Sequence, residues 1–163
     1  MPPYRLQTLL EIRERSKKEA EQAFADATKA LEQQRAELRR MEEELATRKA
    51  ERKQKVMAHL QQVMAKGNAG VSGFNQMNRY EERLKDEEAQ LALEIERQKE
   101  VVRVAEKLVE QRRREMAEAA KELKAIEKHK ENWQKQVRTE RQAKEELNQE
   151  EIGNTLFLMR QRK

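Results

Sequence analysis

The sequence predicts an all-α protein in which two long helices fold back on each other as an antiparallel coiled-coil hairpin. Of the 163 residues, 41% are charged and only 4% are aromatic, a composition typical of long helices and coiled coils. Apolar residues recur at heptad spacing in both halves of the chain. Three of the four glycines lie together at Gly67, Gly70 and Gly73, and such a cluster marks a turn because glycine breaks helices.

The first coiled-coil helix is expected within residues 1–66. Pro2 and Pro3 precede it, and the beginning of a helix tolerates proline. Its apolar seam advances in alternating steps of three and four residues through Phe24, Ala27, Leu31, Gln34, Leu38, Met41 and Leu45. The next apolar group begins at Val56, eleven residues after Leu45, which predicts a local unwinding of the supercoil.

A glycine-rich turn is expected at residues 67–73, followed by a second coiled-coil helix at residues 74–151. The seam of this helix starts at Leu84 and has sixteen positions, of which twelve are apolar. They are Leu84, Glu88, Leu91, Ile95, Gln98, Val102, Ala105, Val109, Arg112, Met116, Ala119, Leu123, Ile126, Lys130, Trp133 and Val137. Sustained heptad spacing of this kind indicates a coiled coil, and its polar positions help to fix the register.

The two seams are expected to pack against each other within one chain. A turn centred near residue 70 places residues 48–66, with a net charge of +5, opposite residues 74–92, with a net charge of −2. Opposite charges that face each other favour this register, although each exposed pair contributes only about 0–1 kcal/mol. One continuous helix that dimerises is the alternative, and three neighbouring glycines argue against it.

Residues 152–163 are expected to form a C-terminal tail beyond the paired helices. This tail contains the most apolar short run of the chain, residues 155–159, which is followed by Arg160, Arg162 and Lys163. A docking segment and a frayed terminus both remain open as interpretations of the tail.

The sequence offers little that could support catalysis or hold a cofactor. It contains no GxxxxGK phosphate-binding loop of the kind that nucleotide hydrolases use. It also has no cysteine, which excludes disulfides and thiolate ligands of zinc. The expected register places His59 near Glu81 and His129 near Glu11, so that the two histidines share no metal site. We therefore expect neither enzymatic activity nor a cofactor.

Nucleic acids and membranes are weak candidates as partners. The net charge of +5 is a small excess on a chain with 36 basic and 31 acidic residues, whereas nucleic-acid-binding tails usually carry blocks of one sign. Aromatic side chains for base stacking are nearly absent. No apolar run approaches the roughly 18 residues of a membrane span. We therefore expect a soluble cytoplasmic protein without direct membrane insertion.

Two blocks of the sequence, one near each end, carry distinctive residue patterns. The first is YRLQTLLEIRERSKKEAEQAF at residues 4–24, where an aromatic residue and three leucines precede a charged helix. The second is KHKENWQKQVRTERQAKEELNQEEIGN at residues 128–154, where Glu131 lies shortly before Trp133 and an EE-x-G element ends the block. Together the two blocks resemble the FliJ/YscO family of type III secretion proteins. The second block favours the YscO-like injectisome branch over the flagellar branch.

The resemblance implies a non-enzymatic cytoplasmic stalk protein, similar to the γ-subunit stalk of rotary ATPases and peripheral to the inner-membrane secretion apparatus. It implies two partners, the hexameric export ATPase and the cytoplasmic domain of the export gate, and secretion chaperones as further candidates. The protein would promote protein export and so contribute to virulence, and it would be monomeric when free. A structural coiled-coil homodimer, a scaffold or chaperone-binding protein and, less strongly, a nucleic-acid binder remain alternatives.

Two candidate binding surfaces follow from these expectations. Near the termini, apolar residues would close the seam while arginines face the pore of the ATPase. These arginines are Arg5, Arg13, Arg15, Arg138 and Arg141. Near the turn, a group of apolar and aromatic residues would contact the export gate, namely Val71, Phe74, Met77 and Tyr80. Alternatively, Phe74 and Met77 could merely hold the end of the hairpin together.

Overall fold

In a computed structural model, which describes residues 2–67 and 70–162, the chain forms two long helices that pack against each other as a hairpin. Helix α1 spans Gln7–Ala65 and helix α2 spans Val71–Gln161. The described residues contain no strand. The predicted fold class, an all-α helical hairpin, is confirmed.

Helix α1 ends at a glycine with a left-handed backbone. Gly67 has a φ of 73°, and its N–H donates to the carbonyl oxygen of Met64 at 3.1 Å, as is common where glycine closes a helix. The carbonyl oxygen of Gly70 accepts the first hydrogen bond of α2, from the N–H of Phe74 at 3.2 Å. Residues 68 and 69, in the middle of the expected turn, lie outside the described residues.

Helix α2 is longer at both ends than the sequence pattern suggests. It begins at Val71 and so includes Gly73, which is buried. It also continues past Gly153 to Gln161, and the hydroxyl of Thr155 donates to the carbonyl oxygen of Glu151 across that glycine, at 2.8 Å. A single glycine costs a helix only about 1 kcal/mol, which the surrounding helix-forming residues offset.

The apolar seam follows the predicted heptads. All sixteen seam positions of α2 are buried or half-buried. In α1, the eleven-residue interval between Leu45 and Val56 is bridged by Arg48 and Arg52, which are half-buried. A three-four-four spacing of this kind unwinds the supercoil locally, so that arginine side chains occupy the seam where the apolar repeat slips.

The pairing of the helices matches the expected register near the turn and departs from it near the termini. His59 stacks on Tyr80, with ring centroids 4.6 Å apart, next to the expected Glu81. Nδ1 of His129, however, is hydrogen-bonded to the hydroxyl of Tyr4, so His129 does not lie opposite Glu11. The connection runs from Ala65 to Val71 and is centred about two residues earlier than the glycine cluster.

Contacts divide the hairpin into two units. One consists of Met1–Ala23 and Arg113–Lys163, and the other of Phe24–Arg112. The core of the second unit is a cluster of Met41, Leu91 and Ile95 against which Leu38 and Leu45 pack. Buried apolar side chains keep 5–8% of their exposure, which is what a narrow two-helix seam allows.

Candidate binding surfaces

Four large apolar side chains near the turn are exposed, and we call them the turn surface. Their exposed fractions are 57% for Met57, 60% for Met64, 79% for Val71 and 60% for Phe74. Met57 and Met64 are seven residues apart on one face of α1, and Val71 and Phe74 are three residues apart on α2. Methionine side chains are flexible and polarisable, so a surface of this kind adapts to an apolar partner.

Two of the residues predicted to contact a partner hold the hairpin together instead of standing free. The ring of Tyr80 stacks on His59 of the other helix, and the guanidinium of Arg83 lies 5.3 Å from the centroid of the same ring. Met77 is half-buried and lines a groove with Val56 and Leu60. Phe74, by contrast, is exposed, so that Phe74 and Met77 differ in how far the hairpin covers them.

Four of the five arginines predicted near the termini are exposed, namely Arg5, Arg15, Arg138 and Arg141. We call these four the terminal surface. Arg138 and Arg141 are three residues apart and therefore project from one side of α2. Arg141 also lines a shallow hollow with Pro2 and Lys144, so the structure brings the N-terminal segment next to this part of α2.

The fifth arginine, Arg13, is engaged within the hairpin. Its Nη1 donates to Oε2 of Glu122 in α2 at 2.7 Å, and both side chains are about 40% exposed, at 38% and 41%. Arg13 therefore links the two helices, and reversing its charge would disturb the hairpin as well as any partner. The sequence did not distinguish Arg13 from the other four arginines, because heptad spacing identifies the buried face of each helix but not which residue of α2 lies opposite Arg13.

The predicted closure of the seam near the termini is present. Leu10 is buried, and Leu6, Leu9, Trp133 and Val137 are half-buried. The ring of Tyr4, only 8% exposed, lies 5.0 Å from that of Trp133 between centroids. The ammonium of Lys130 donates to Oε1 of Gln7 at 2.8 Å. Aromatic packing and polar bonds therefore fasten the start of the chain to α2.

Beyond this point α2 has no covering helix. Every described residue from position 138 onward is exposed, and we call residues 138–161 the terminal helix. It carries six exposed large apolar side chains: Leu147, Ile152, Leu156, Phe157, Leu158 and Met159. Three of them, Ile152, Leu156 and Met159, follow the four-three spacing of one helical face. The segment expected to be a separate tail is thus the end of α2.

Surface ion pairs are numerous but local. The guanidinium of Arg40 donates hydrogen bonds to Glu37, and this contact lowers the pKa of the Glu37 carboxyl below its ordinary value. Similar pairs at three- or four-residue spacing follow both helices, for example Arg48 with Glu44 at 2.8 Å. Such pairs support helicity and solubility rather than any one site.

Metal sites and membrane spans are both absent from the described residues. Across residues 2–67 and 70–162, no group of three or more His, Asp or Glu side chains is placed to hold a metal ion. None of the helices described has a stretch that is apolar enough and long enough to cross a membrane.

Two features were not found from the sequence. The first is the ion pair of Arg52 with Glu88, of which only Glu88 is a polar position of the predicted seam. The second is a series of exposed apolar residues on the outer face of α2, between Leu93 and Leu108. The sequence does contain a signal for this series, because several apolar residues between positions 93 and 108 lie outside the seam heptads.

Fold and surfaces together define a coiled-coil hairpin with exposed apolar and basic regions near its turn and its termini. The chain belongs to the YscO-like family, since the sequence model of the YscO-like protein matches residues 1–163. The solved structure of a YscO homologue, CT670 from Chlamydia trachomatis, is similar, with a TM-score of 0.81 and 26% identity over 100% of this chain and 99% of that chain. No curated protein matches the sequence. Family and structural match identify a type III secretion-associated protein and confirm the resemblance.

Proposed function

We propose that this protein is a non-enzymatic, cytoplasmic stalk component of a type III secretion apparatus that links the hexameric export ATPase to the cytoplasmic domain of the export gate. The observation that supports this most is the match of the YscO-like family along the whole of a helical hairpin. The proposal makes a single chain the functional unit, because each helix already finds the partner of its seam within the chain.

The turn surface is the proposed contact for the export gate. Val71 and Phe74 expose 79% and 60% of their side chains, and neither has a role in the seam. Tyr80 and Met77 hold α2 against α1 next to this surface and so keep it in place. An apolar contact of this kind releases water from both partners on binding.

The terminal surface, together with the terminal helix, is the proposed contact for the export ATPase. A single chain within a six-fold ring cannot bond equally to six subunits, so that exchangeable polar contacts suit it better than a fixed apolar interface. Long, exposed arginines provide such contacts, because the guanidinium can pair with carboxylates in several geometries. The terminal helix adds apolar side chains that no part of α1 covers.

A crossed binding experiment tests both assignments, since each variant serves as the control for the other. The turn variant combines Val71→Ala with Phe74→Ala, and the terminal variant combines Arg5→Glu, Arg15→Glu and Arg138→Glu. We expect the turn variant to lose at least about tenfold in affinity for the gate domain, which is about 1.4 kcal/mol, while its binding to the ATPase is unchanged. The terminal variant should show the reverse.

Two choices in these variants follow from the structure. Arg13 is left intact because it bonds to Glu122, and Tyr80 is left intact because it stacks on His59. Circular dichroism and the fluorescence of Trp133, the only tryptophan of the chain, verify that the hairpin is preserved. Unchanged affinity of both variants for both partners would refute the proposal.

A further inference from the structure

Helix α2 carries a second apolar stripe, on the side that α1 does not cover. Leu93, Val101, Val104 and Leu108 expose 58%, 43%, 59% and 39% of their side chains, and we call these four residues the outer stripe. Together with Arg97, the last three residues have the spacing of a coiled-coil seam: the intervals from Arg97 to Val101, Val104 and Leu108 are four, three and four residues. Over residues 93–108, α2 therefore has two apolar faces, of which only one is buried within the chain.

We propose that the outer stripe binds the outer stripe of a second copy of this chain, with the two α2 helices antiparallel. None of its residues belongs to the turn surface or the terminal surface, so this inference is independent of the proposed function. The exposed face is apolar at three successive seam positions, as a second helix requires.

The position of Arg97 selects the antiparallel orientation. In a parallel pair, like positions face each other, and the two Arg97 guanidinium groups would meet within the apolar stripe. In an antiparallel pair centred between Val101 and Val104, Val101 of one copy faces Val104 of the other, and Arg97 faces Leu108. Like charges are thereby kept apart, and the arginine stem packs against an apolar side chain while its charged end reaches water.

The charges beside the outer stripe are self-complementary in the same orientation. Glu100 and Lys107 flank the stripe, seven residues apart on the same side of α2, and both are exposed. Antiparallel pairing brings Glu100 of each copy near Lys107 of the other, which gives two opposite-charge contacts related by a two-fold axis. Glu100 also accepts from Arg103 within its own helix at 2.8 Å. Flanking charges of this kind determine orientation more than affinity.

The expected dimer is weak. Four apolar residues on each side are far fewer than the roughly 20–30 residues per side of a standard interface. The pairing should therefore form at high concentration and dissociate on dilution, as suits a chain that acts singly in the proposed stalk.

The test uses the fact that the chain has no cysteine, so that any introduced cysteine can form a disulfide only with another copy. Val101→Cys and Val104→Cys chains are mixed at high concentration and oxidised. We expect the mixed disulfide to exceed either homodisulfide at least fivefold. In the antiparallel pair like positions are offset by three residues, about 4.5 Å along the axis, which takes their Cα atoms beyond the usual disulfide range.

An Ile12→Cys chain is the matched control, because Ile12 is 48% exposed but lies outside the outer stripe, and it should form few disulfides. Sedimentation of the unmodified chain supplies the second measurement. We expect its apparent mass to rise with concentration, and Val104→Glu to abolish that rise without loss of helicity. Homodisulfides in excess, a monomer even at millimolar concentration, or a dimer that survives Val104→Glu would each overturn the inference.

Discussion

The ion pair between Arg52 and Glu88 shows how a break in the heptad pattern is accommodated in the seam. Nη1 of Arg52 lies 2.7 Å from Oε2 of Glu88, and Glu88 is the one charged residue that is buried among those described, at 6% exposure. Its other oxygen, Oε1, is buried without a hydrogen-bond partner. The burial of Glu88 is therefore tolerated only while Arg52 remains in place, since an unpaired buried charge is costly.

Removal of the arginine alone should destabilise the hairpin. We expect Arg52→Met to lower the free energy of unfolding by about 3 kcal/mol, because it leaves the Glu88 carboxylate desolvated without its partner. The double variant Arg52→Leu with Glu88→Leu should be as stable as the original chain or more so, since an apolar pair replaces the ions. Urea unfolding followed by circular dichroism measures both. Equal stability of Arg52→Met and the original chain would show that this pair is not formed.

Individual positions also mark the limit of what the sequence could predict. Residue types identified Tyr80 and Phe74 alike as candidate partner contacts. Whether an aromatic ring stands free depends on what the opposite helix places against it, and only the register that brings His59 to Tyr80 separates the two. Exposure of a single side chain is thus a tertiary property that heptad spacing does not specify.

At the level of the helices, the seam was predictable and the helix ends were not. Heptad spacing fixes a face of the helix directly, and all sixteen predicted positions of α2 are covered. The ends depend on differences of about 1 kcal/mol, the amount by which one glycine disfavours a helix. Consequently the three glycines of the cluster differ in role: Gly67 is left-handed, Gly70 precedes α2 and Gly73 lies within it.

Alanine at two glycines should have opposite effects. A Cβ at Gly67 or Gly153 would meet nothing within 4 Å apart from its chain neighbours and the backbone of its own helix, so that the local backbone conformation determines the effect. Gly67→Ala should destabilise the hairpin by about 1 kcal/mol because its φ of 73° is unfavourable for a residue with a Cβ. Gly153→Ala should stabilise the terminal helix locally by about 1 kcal/mol.

Urea unfolding measures the first effect, and slower amide exchange near residue 153, by roughly fivefold for about 1 kcal/mol, measures the second. Gly67→Asn is the matched control, and it should cost less than Gly67→Ala because asparagine tolerates the left-handed region. If alanine at position 67 were neutral, the left-handed closure of α1 would be wrong.

For the molecule as a whole, composition and one glycine cluster were sufficient to predict the fold, because a long charged helix with an apolar stripe can bury that stripe only against another helix. Its binding surfaces were less predictable. The outer stripe has the same residue types as the seam but covers only a short segment of α2, and its apolar character alone does not show whether a partner covers it. The pairing of the two helices makes that distinction.

If one chain must carry both proposed surfaces, two defective chains cannot replace it. The turn variant should retain ATPase binding and the terminal variant should retain gate binding, yet neither should join ATPase to gate in a three-component pull-down or restore secretion in a strain without this protein. Supplying both variants together should also fail at concentrations where the outer-stripe dimer dissociates, because each bound chain still lacks one partner. A homodimeric scaffold behaves differently, since a mixed dimer contains one intact copy of each surface. Restoration of bridging by the mixture at low concentration, where the weak outer-stripe dimer dissociates, would therefore exclude the single-chain stalk in favour of the dimeric scaffold.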